Sequence, residues 1–333
     1  MKNMYVLGIE TSCDETGASI VYNGSKIYSN VTATSLKAHS QYGGVIPEIA
    51  SRAQLEYINP VVHQALKDAG KEIKDIGLVS VTKGPGLIGS LLVGISFAKA
   101  FSYANNIPIL GLDHVQSHIY AAFLDSKVIP KFPFVGLVVS GGHTTLFYFK
   151  NFNNSKIISQ TLDDAAGEAF DKVAKLLNLG YPGGPLIEKI AKEGNSKAYN
   201  FKCNDGSPNF SFSGIKTAVL YKVNEINKDR ALTKKDKCDL AASFQRSVVE
   251  SLVNKSISAV VRKGLDTLVV GGGVAANGYF RSRLQEESKL KKIKLFIAKG
   301  QFCTDNASMV AGLGYQLYKL GKRDDLRFKP ILY

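Results

Sequence analysis

Short apolar runs separated by polar or glycine-rich turns fill the first third of the chain. Their alternation predicts strands, and one longer segment with apolar residues at helical spacing predicts a helix. The polar segment Glu10–Thr16 is expected to form the tip of the first hairpin, and Asn23-Gly24 is typical of the turn that follows it. The predicted order is three strands, a helix and a fourth strand, at residues 5–9, 18–22, 26–29, 47–69 and 77–82.

The same succession of elements returns in the second half without sequence identity between the halves. In the first half a glycine-rich turn, Gly84-Pro-Gly-Leu-Ile-Gly89, leads into a helix of small residues and a strand. In the second half a hairpin at 134–149 has a polar tip, and the glycine-rich turn is 271–277. We interpret this order as a structural duplication, with a mostly helical insertion at about 163–262 in the second half.

Two α/β lobes built on one plan are expected to face each other across a cleft, because ligands of open α/β sheets lie beyond the carboxyl ends of strands. Backbone N–H groups at glycine-rich turns, and at the helix N-termini behind them, bind phosphate through their geometry and dipole. The sequence therefore predicts an α/β protein that holds a nucleotide or a phosphoanhydride.

The turn 84–89 also has the spacing GxGxxG and is followed by Asp113, so a dinucleotide-dependent oxidoreductase is an alternative. Two features count against it. A hairpin and a helix precede the motif, and Pro85 lacks an N–H group that could face a pyrophosphate. We favour a structural role for the turn, as a tight strand-to-helix connection with close packing.

Two histidines, His114 and His118, are four residues apart, which places them on one face of a helical turn. Asp113 is expected to cap that helix. A metal site needs a third ligand, for which Asp305 and Asp113 are the candidates, and two histidines with one carboxylate suit Fe(II) or a catalytic zinc. The alternative is a pair of surface or capping histidines. A zinc protease of the HExxH type is disfavoured because Val115 stands where the glutamate would be.

Two groups of acids lie near the predicted turns. Asp164, Glu168 and Asp171 are expected to share one helical face, where they can bind a ribose hydroxyl or a metal, or simply face water. Asp14 and Glu15 lie at the tip of the first hairpin, where acids can orient a nucleophile or remain solvated.

The 333 residues include 42 Lys and Arg against 28 Asp and Glu, a formal net charge of +14. This excess excludes an acidic or disordered chain and favours nucleic acid, phosphorylated ligands or an anionic membrane as partners, with a generally basic proteome as the alternative. Four scattered cysteines without a CxxC pair exclude a disulfide scaffold and indicate a reducing compartment. Since no signal peptide or membrane span is recognisable, we expect a cytoplasmic protein.

Ten motifs in order carry a resemblance to a known family. They are Ile9-Glu-Thr-Ser-Cys-Asp-Glu-Thr16, Gly43-Gly-Val-Ile-Pro-Glu48, Gly84-Pro-Gly-Leu-Ile-Gly89, His114-xxx-His118, Val139-Ser-Gly-Gly-His-Thr144, Asp163-Asp-Ala-Ala-Gly-Glu-Ala-Phe-Asp-Lys172, Tyr181-Pro-Gly-Gly-Pro185, Phe210-Ser-Phe-Ser-Gly-Ile-Lys-Thr217, Gly271–Asn277 and Cys303-Thr-Asp-Asn306. Over residues 5 to about 320 the chain resembles the universal tRNA threonylcarbamoyladenosine family, bacterial TsaD type, formerly called O-sialoglycoprotein endopeptidases. The resemblance implies the two-lobed actin-like fold, similar to sugar kinases and Hsp70-like ATPases, with a duplicated core.

The resemblance implies a transfer reaction. The threonylcarbamoyl group of threonylcarbamoyl-adenylate passes to the exocyclic N6 amine of the adenosine 3′ of the anticodon, in tRNAs reading codons that start with A, and AMP is released. It also implies one divalent metal ion, with Fe(II) favoured over Zn(II), and binding of the adenylate intermediate or of ATP or AMP. A metalloprotease and a non-catalytic nucleotide-binding scaffold are the competing hypotheses.

The family's functional residues are carried over by matching position. The metal would be bound by His114, His118 and Asp305, and the acids to test for catalysis are Asp14 and Glu15. Phosphate or carboxylate groups would be held by Val138, Val139, Ser140, Gly141 and Gly142, the ribose by Asp171, and the adenosine side of the intermediate by Gly184 and Asn277.

The resemblance further implies tRNA as a partner, together with a smaller paralogue of the same fold and a small ATPase, and no membrane. We expect an N-terminal lobe at 1–127 and a C-terminal lobe at 128–304, with a last helix at about 305–322 that returns to the first lobe. The tail after Lys322 carries no recognisable motif. We expect basic residues around the cleft mouth to meet the tRNA, namely Lys37, Arg52, Lys202, Lys216, Arg281 and Arg283.

Overall fold

The computed structural model describes residues 3–40, 42–126, 128–203 and 206–331. The chain divides into two compact units, one formed by Met1–Ile129 with Gln301–Tyr333 and the other by Pro130–Gly300. The lobe boundaries expected from the sequence stay a prediction, and residue 127, at one of these boundaries, lies outside the described residues.

The first unit is built around a mixed sheet that contains five strands among the described residues, in the order β3-β2-β1-β4-β5. The strands are β1 (Tyr5–Glu10), β2 (Glu15–Tyr22), β3 (Lys26–Thr34), β4 (Ile76–Gly84) and β5 (Ile109–Asp113). The β1–β2 and β2–β3 pairs are antiparallel, whereas β1–β4 and β4–β5 are parallel. The helices are α1 (Leu36–Ser40), α2 (Pro47–Asp68), α3 (Ile88–Asn105), α4 (His114–Tyr120) and, from the C-terminal part of the chain, α10 (Ala307–Lys319).

Helix α10 packs closely on β1 because small residues meet there. A Cβ atom added to Gly8 would lie 2.8 Å from Cβ of Ala311, and one added to Gly17 would lie 3.3 Å from the backbone nitrogen of Ala307. Gly17 pairs with Glu10, the last residue of β1. The start of α10 is therefore held at the carboxyl end of β1, which fixes the position of the residues that precede the helix.

The second unit repeats this plan with five described strands in the order β10-β9-β6-β7-β8. The strands are β6 (Phe134–Val139), β7 (Thr144–Asn151), β8 (Asn154–Gln160), β9 (Thr267–Gly271) and β10 (Lys294–Ile297). The β6–β7 and β7–β8 pairs are antiparallel, whereas β6–β9 and β9–β10 are parallel. The helices are α5 (Ala166–Leu176), α6 (Gly183–Ala191), α7 (Ser213–Asp229), α8 (Lys234–Arg262) and α9 (Gly278–Leu290).

The two sheets confirm the duplication predicted from the sequence. In each, a central strand has two antiparallel neighbours in succession on one side and two parallel strands on the other. Helices α5 to α8 lie between β8 and β9 and form the predicted helical insertion. None of the described helices is long and apolar enough to cross a membrane.

Candidate functional site

Helix α4 places the two histidines of the predicted metal site. It starts directly after β5, and Asp113 Oδ1 accepts a hydrogen bond from the backbone N–H of Gln116 at 2.8 Å, which confirms the predicted cap. His114 and His118 follow one another by a helical turn, and their ring centroids lie 4.7 Å apart. Both are buried, with 6% and 1% of their surface exposed, so they are not surface histidines.

Asp305 completes the group from the segment before α10. The neighbouring Asn306 caps α10 by accepting from the backbone N–H of Met309, which leaves the carboxylate of Asp305 outside the cap. Asp305 Oδ1 lies 3.1 Å from His118 Nε2 and 3.6 Å from His114 Nε2. One ligand atom from each of the three residues lies within 4.8 Å of the others. Of the two candidates for a third ligand, Asp305 is therefore the one grouped with both histidines.

The three side chains fit a divalent metal ion. Imidazole nitrogen and carboxylate oxygen bind Zn²⁺ at about 2.0–2.2 Å, and the same donor set with open positions suits Fe(II). The atoms of this group are close enough for one ion to bind all three. The ring of His118 is buried, and its Nδ1 makes no hydrogen bond within the described residues. Its Nε2 lies 3.1 Å from Asp305 Oδ1, but this contact does not have hydrogen-bond geometry. A buried imidazole without a hydrogen bond is costly, and an ion at Nε2 would supply the missing partner.

A buried carboxylate, Glu10, faces the other side of His114. Glu10 Oε2 lies 3.2 Å from His114 Nδ1, and Ser12 Oγ lies 3.1 Å from the same nitrogen. Burial opposes the charged form of both groups, but their mutual attraction outweighs it. The pKa of Glu10 is consequently lowered, and the Glu10 and Asp305 carboxylates raise the pKa of His114 to about 9.

The charge of Asp305 acts on the hairpin tip that carries the two predicted catalytic acids, Asp14 and Glu15. Burial, followed by the charges of Asp305 and Asp14, raises the pKa of Glu15 to about 9. Burial, followed by the charges of Asp305 and Asp14, also raises the pKa of Cys13, which favours the protonated thiol. The backbone of the tip is fixed by Gln54, whose Nε2 donates to the carbonyl oxygens of Cys13 and Glu15, each at 2.9 Å.

His39 is a functional candidate that the sequence did not single out. Its Nδ1 accepts from the backbone N–H of Ile46 at 3.2 Å, so Nε2 carries the proton and faces Ser35 Oγ at 2.9 Å. Ser35 Oγ in turn donates to the backbone carbonyl of Asp14 at 2.9 Å. The buried imidazole of His39 thus connects the segment before α2 to the acidic tip.

The turn 84–89 has the structural role that we favoured. A Cβ atom on Gly86 would lie 2.5 Å from the carbonyl oxygen of Ser12, and the backbone N–H of Leu87 donates to that oxygen at 2.8 Å. The turn therefore packs against the segment that carries Glu10, Ser12 and the acidic tip.

The C-terminal tail reaches the same turn, a contact that no sequence motif indicated. Asp324 Oδ2 accepts from the backbone N–H of Gly111 at 2.9 Å on the edge strand β5. Further on, Lys99 Nζ donates to the carbonyl of Phe328 at 2.6 Å, and the N–H of Ile331 donates to the carbonyl of Lys83 at 2.7 Å. The tail covers one edge of the first sheet, and Ile331 lies beside Gly84.

The second unit holds the residues predicted for the nucleotide side. Strand β6 contains Val138 and Val139 and ends at a turn in which the N–H of Ser140 donates to the carbonyl of His143 at 2.8 Å. Cβ atoms added to Gly141 and Gly142 would meet nothing within 4 Å, so the backbone of this turn is open to a ligand. The N–H of Gly167 donates to the carbonyl of Ser140 at 3.1 Å, which ties α5 to the turn.

Asp171 and Gly184 lie close together, whereas the side chain of Asn277 is already hydrogen-bonded within the protein. Asp171 Oδ1 accepts a hydrogen bond from the backbone N–H of Gly183 at 2.7 Å. Burial raises the pKa of Asp171, and the backbone N–H groups of Gly183 and Gly184 oppose this shift. A Cβ atom on Gly184 would have open space around it. The side chain of Asn277 caps α9 through the N–H of Phe280 and donates to Gln245, both at 2.8 Å.

The expectation of one acidic helical face at Asp164, Glu168 and Asp171 is wrong. Helix α5 begins at Ala166, so Asp164 precedes it. Asp164 is paired with Lys172 at 2.8 Å and Lys216 at 3.2 Å, and Lys172 also pairs with Glu168 at 2.7 Å. Two lysines of the insertion, Lys172 and Lys216, therefore compensate the charges of Asp164 and Glu168.

Several of the basic residues predicted to meet tRNA bind carboxylates of the chain itself. Arg52 pairs with Glu48, both of them exposed on α2, and Lys216 pairs with Asp164. Arg283 contacts three acids on α8 and α9, namely Glu250, Glu286 and Glu287. Charge that is compensated in this way contributes little to the attraction of a polyanion.

The fold is that of the actin-like ATPases. HypF of T. kodakarensis superposes with a TM-score of 0.62 at 13% identity, over 98% of this chain and 49% of that chain. Component A of the (R)-2-hydroxyglutaryl-CoA dehydratase of Acidaminococcus fermentans superposes with a TM-score of 0.56 at 16% identity, over 96% of this chain and all of that chain. At these identities the likeness establishes the fold alone, and it confirms the fold class expected from the sequence.

The sequence comparisons identify the family within this fold. The family model described as TsaD, tRNA N6-adenosine threonylcarbamoyltransferase, matches residues 26–312. The enzyme of that name from Syntrophus aciditrophicus is 47% identical over 98% of this chain and 96% of its own length, and that from Dictyoglomus turgidum is 49% identical over 97% and 96%. The chain belongs to the tRNA N6-adenosine threonylcarbamoyltransferase family. It is a transferase that modifies tRNA, which disfavours both the protease and the oxidoreductase hypotheses.

Proposed function

We propose that the group transferred to tRNA comes from threonylcarbamoyl-adenylate and that AMP leaves. The acceptor is the N6 amine of the adenosine 3′ of the anticodon, in tRNAs that read codons starting with A. The observation that carries this proposal is the group formed by the buried His114 and His118 with the half-buried Asp305, whose charge also acts on Glu15 of the acidic tip. The identity of the donor and the position in the tRNA rest on the family resemblance.

His114 Nε2, His118 Nε2 and Asp305 Oδ1 would hold a divalent ion, with Fe(II) favoured and Zn(II) as the alternative. When bound, such an ion supplies Lewis-acid polarisation of a carbonyl or phosphoryl oxygen. Both metals accept two imidazoles and one carboxylate, so the ligand set supports either.

The acceptor amine is conjugated with the purine ring and is a poor nucleophile, so positioning and proton removal have to supply much of the rate. Asp14 and Glu15 are the groups that we assign to this proton. Burial and the neighbouring acids raise the pKa of Glu15 to about 9, so at neutral pH this side chain holds a proton and has to release it before it can act as a base.

The second unit supplies the groups proposed for the nucleotide of the donor. The open turn Ser140-Gly141-Gly142, after Val138 and Val139, offers backbone N–H groups to a phosphate or carboxylate. Asp171 is assigned to the ribose and Gly184 to the adenosine. Asn277 is retained for the adenosine through its backbone, because its side chain already caps α9.

We also propose a smaller paralogue of the same fold and a small ATPase as partners, and the cytoplasm as the location. These follow from the family resemblance and from tRNA as the substrate.

A single-turnover assay tests the proposed donor. Purified protein and its partners receive labelled threonylcarbamoyl-adenylate and unmodified tRNA, and N6-threonylcarbamoyladenosine and AMP are quantified together. The expected result is one AMP for each modified nucleoside, with strong loss in the His114→Ala, His118→Ala double variant and no loss in His63→Ala, which changes an exposed histidine of α2. Modification without AMP release, or full activity of the double variant, would contradict the proposal.

A further inference from the structure

Glu10 is a buried carboxylate with no role in the reaction described above. It is the last residue of β1 and has 1% of its surface exposed. Its Oε1 accepts from the backbone N–H of Ser12 at 2.6 Å, and its Oε2 accepts from Thr82 Oγ1 at 2.6 Å. Burying a carboxylate is strongly unfavourable unless its oxygens are hydrogen-bonded, and here each oxygen has a short bond from a fixed donor.

Glu10 makes a third side-chain contact, with His114. Its Oε2 lies 3.2 Å from Nδ1, and an ionised carboxylate can only accept, so Nδ1 carries the proton. The opposite ring nitrogen, Nε2, is the one that lies 3.6 Å from Asp305 Oδ1. In the neutral ring a proton on Nδ1 leaves the lone pair on Nε2, directed to the side where the metal ligands gather.

His118 lacks such a partner. Its Nδ1 has no hydrogen bond within the described residues, whereas the ring of His114 is fixed through Nδ1 by a carboxylate that two further donors hold in place. The two histidines are therefore not equivalent. Nδ1 of His114 faces both Ser12 Oγ and the carboxylate of Glu10, which Thr82 of strand β4 holds in place, and the charged acceptor favours a proton on Nδ1.

We propose that Glu10 is a positioning residue that orients His114 for metal binding and raises the affinity of the site. The inference rests on the proposed metal site. Carboxylates that accept the second ring N–H of a metal-binding histidine fix its orientation and increase its basicity, and their loss typically weakens metal binding roughly 10- to 100-fold.

Metal affinity tests this role without any activity measurement. Zn²⁺ is titrated into the purified full-length protein in competition with a chromophoric chelator, and the visible absorption of the Co²⁺-loaded protein is recorded. Glu10→Gln should bind Zn²⁺ about tenfold more weakly and alter the Co²⁺ spectrum. Glu10→Asp retains the charge but shortens the side chain, so its Zn²⁺ affinity should lie between those of wild type and Glu10→Gln. If Glu10→Gln does not fold, the affinity of Glu10→Asp tests the role of Glu10.

Two controls separate positioning from general damage. Val79→Ala weakens the buried core of the same sheet without touching the site and should leave the Zn²⁺ affinity within about twofold of wild type while lowering thermal stability. Ser12→Ala removes the other group near Nδ1 and should have less effect than Glu10→Gln. If Glu10→Gln binds Zn²⁺ as tightly as wild type, or if Val79→Ala loses as much Zn²⁺ affinity as Glu10→Gln, the positioning role of Glu10 is overturned but the metal site is not. Absence of stoichiometric binding by wild type would overturn the metal site itself.

Discussion

Asp305 Oδ1 lies 3.1 Å from His118 Nε2, although the two residues are placed by separate parts of the first unit. His118 is fixed by α4, which is capped by Asp113 after β5. Asp305 is fixed by α10, whose small residues pack on Gly8 of β1. The metal ligands therefore come together when the C-terminal helix is docked on the sheet.

Asp305→Asn should remove bound metal. The amide preserves the size of the side chain but loses the negative charge that a divalent ion requires. Metal content measured by inductively coupled plasma mass spectrometry should fall to background in protein purified in parallel. Asp325→Asn, at an exposed position of the tail, should retain wild-type metal content, and equal content in both variants would rule out Asp305 as a ligand.

Gly86→Ala should destabilise the protein and weaken metal binding. Its Cβ atom would lie 2.5 Å from the carbonyl oxygen of Ser12, so the backbone next to Glu10 has to shift. We expect the free energy of unfolding to fall by about 1–3 kcal/mol, as for other overpacked sites. Gly44→Ala, whose Cβ would meet nothing within 4 Å, should change it by less than about 0.5 kcal/mol. Similar urea midpoints for the two variants would contradict this packing.

Asp236→Asn should destabilise the second unit in a pH-dependent way. Arg230, followed by Thr233, holds the pKa of the Asp236 carboxyl well below its usual range, and Asp236 and Thr233 form the capping box of α8. A group whose pKa is lower in the folded state stabilises fully above the unfolded value of about 3.9, and this stability is lost as the pH falls through the folded value. The variant should therefore unfold about 1 kcal/mol more easily at pH 7, with a difference that shrinks below about pH 4. If wild type and Asp236→Asn differ in urea denaturation by the same amount at every pH, the predicted role of the ionised Asp236 is refuted.

Affinity for tRNA should fall steeply with salt, because a net charge of +14 draws phosphates and releases their counterions. Arg283→Gln should leave the slope of log Kd against log salt unchanged, since Glu250, Glu286 and Glu287 already compensate that guanidinium. The same variant should lower the free energy of unfolding by about 1 kcal/mol. Filter binding between low and high salt measures the slope, and a flat wild-type line would disprove the electrostatic part of the account.

Local patterns in the sequence were sufficient for most elements of the two sheets. The hairpin predicted at 134–149 coincides with β6 and most of β7. The cap at Asp113 is present because capping depends on residues within one turn. The predicted acidic face failed because the start of α5 and the pairing of Asp164 with Lys216 depend on distant packing.

The residues that surround the metal ligands could not be predicted from local sequence patterns. Glu10 meets Thr82 and His114, which are 72 and 104 positions away along the chain, so no spacing rule relates them. The signal that was available is an acid at the end of an otherwise buried apolar strand. The contacts of His39 and of the C-terminal tail are similarly fixed by tertiary packing.

The central claim is that this chain forms N6-threonylcarbamoyladenosine in tRNA and needs its histidine pair to do so. The direct measurement is mass spectrometry of tRNA nucleosides after depletion of the protein and complementation with wild type, with the His114→Ala, His118→Ala variant or with His63→Ala. The modified nucleoside should disappear on depletion, return with wild type and His63→Ala, and stay absent with the double variant. An unchanged level of the nucleoside after depletion would contradict the account.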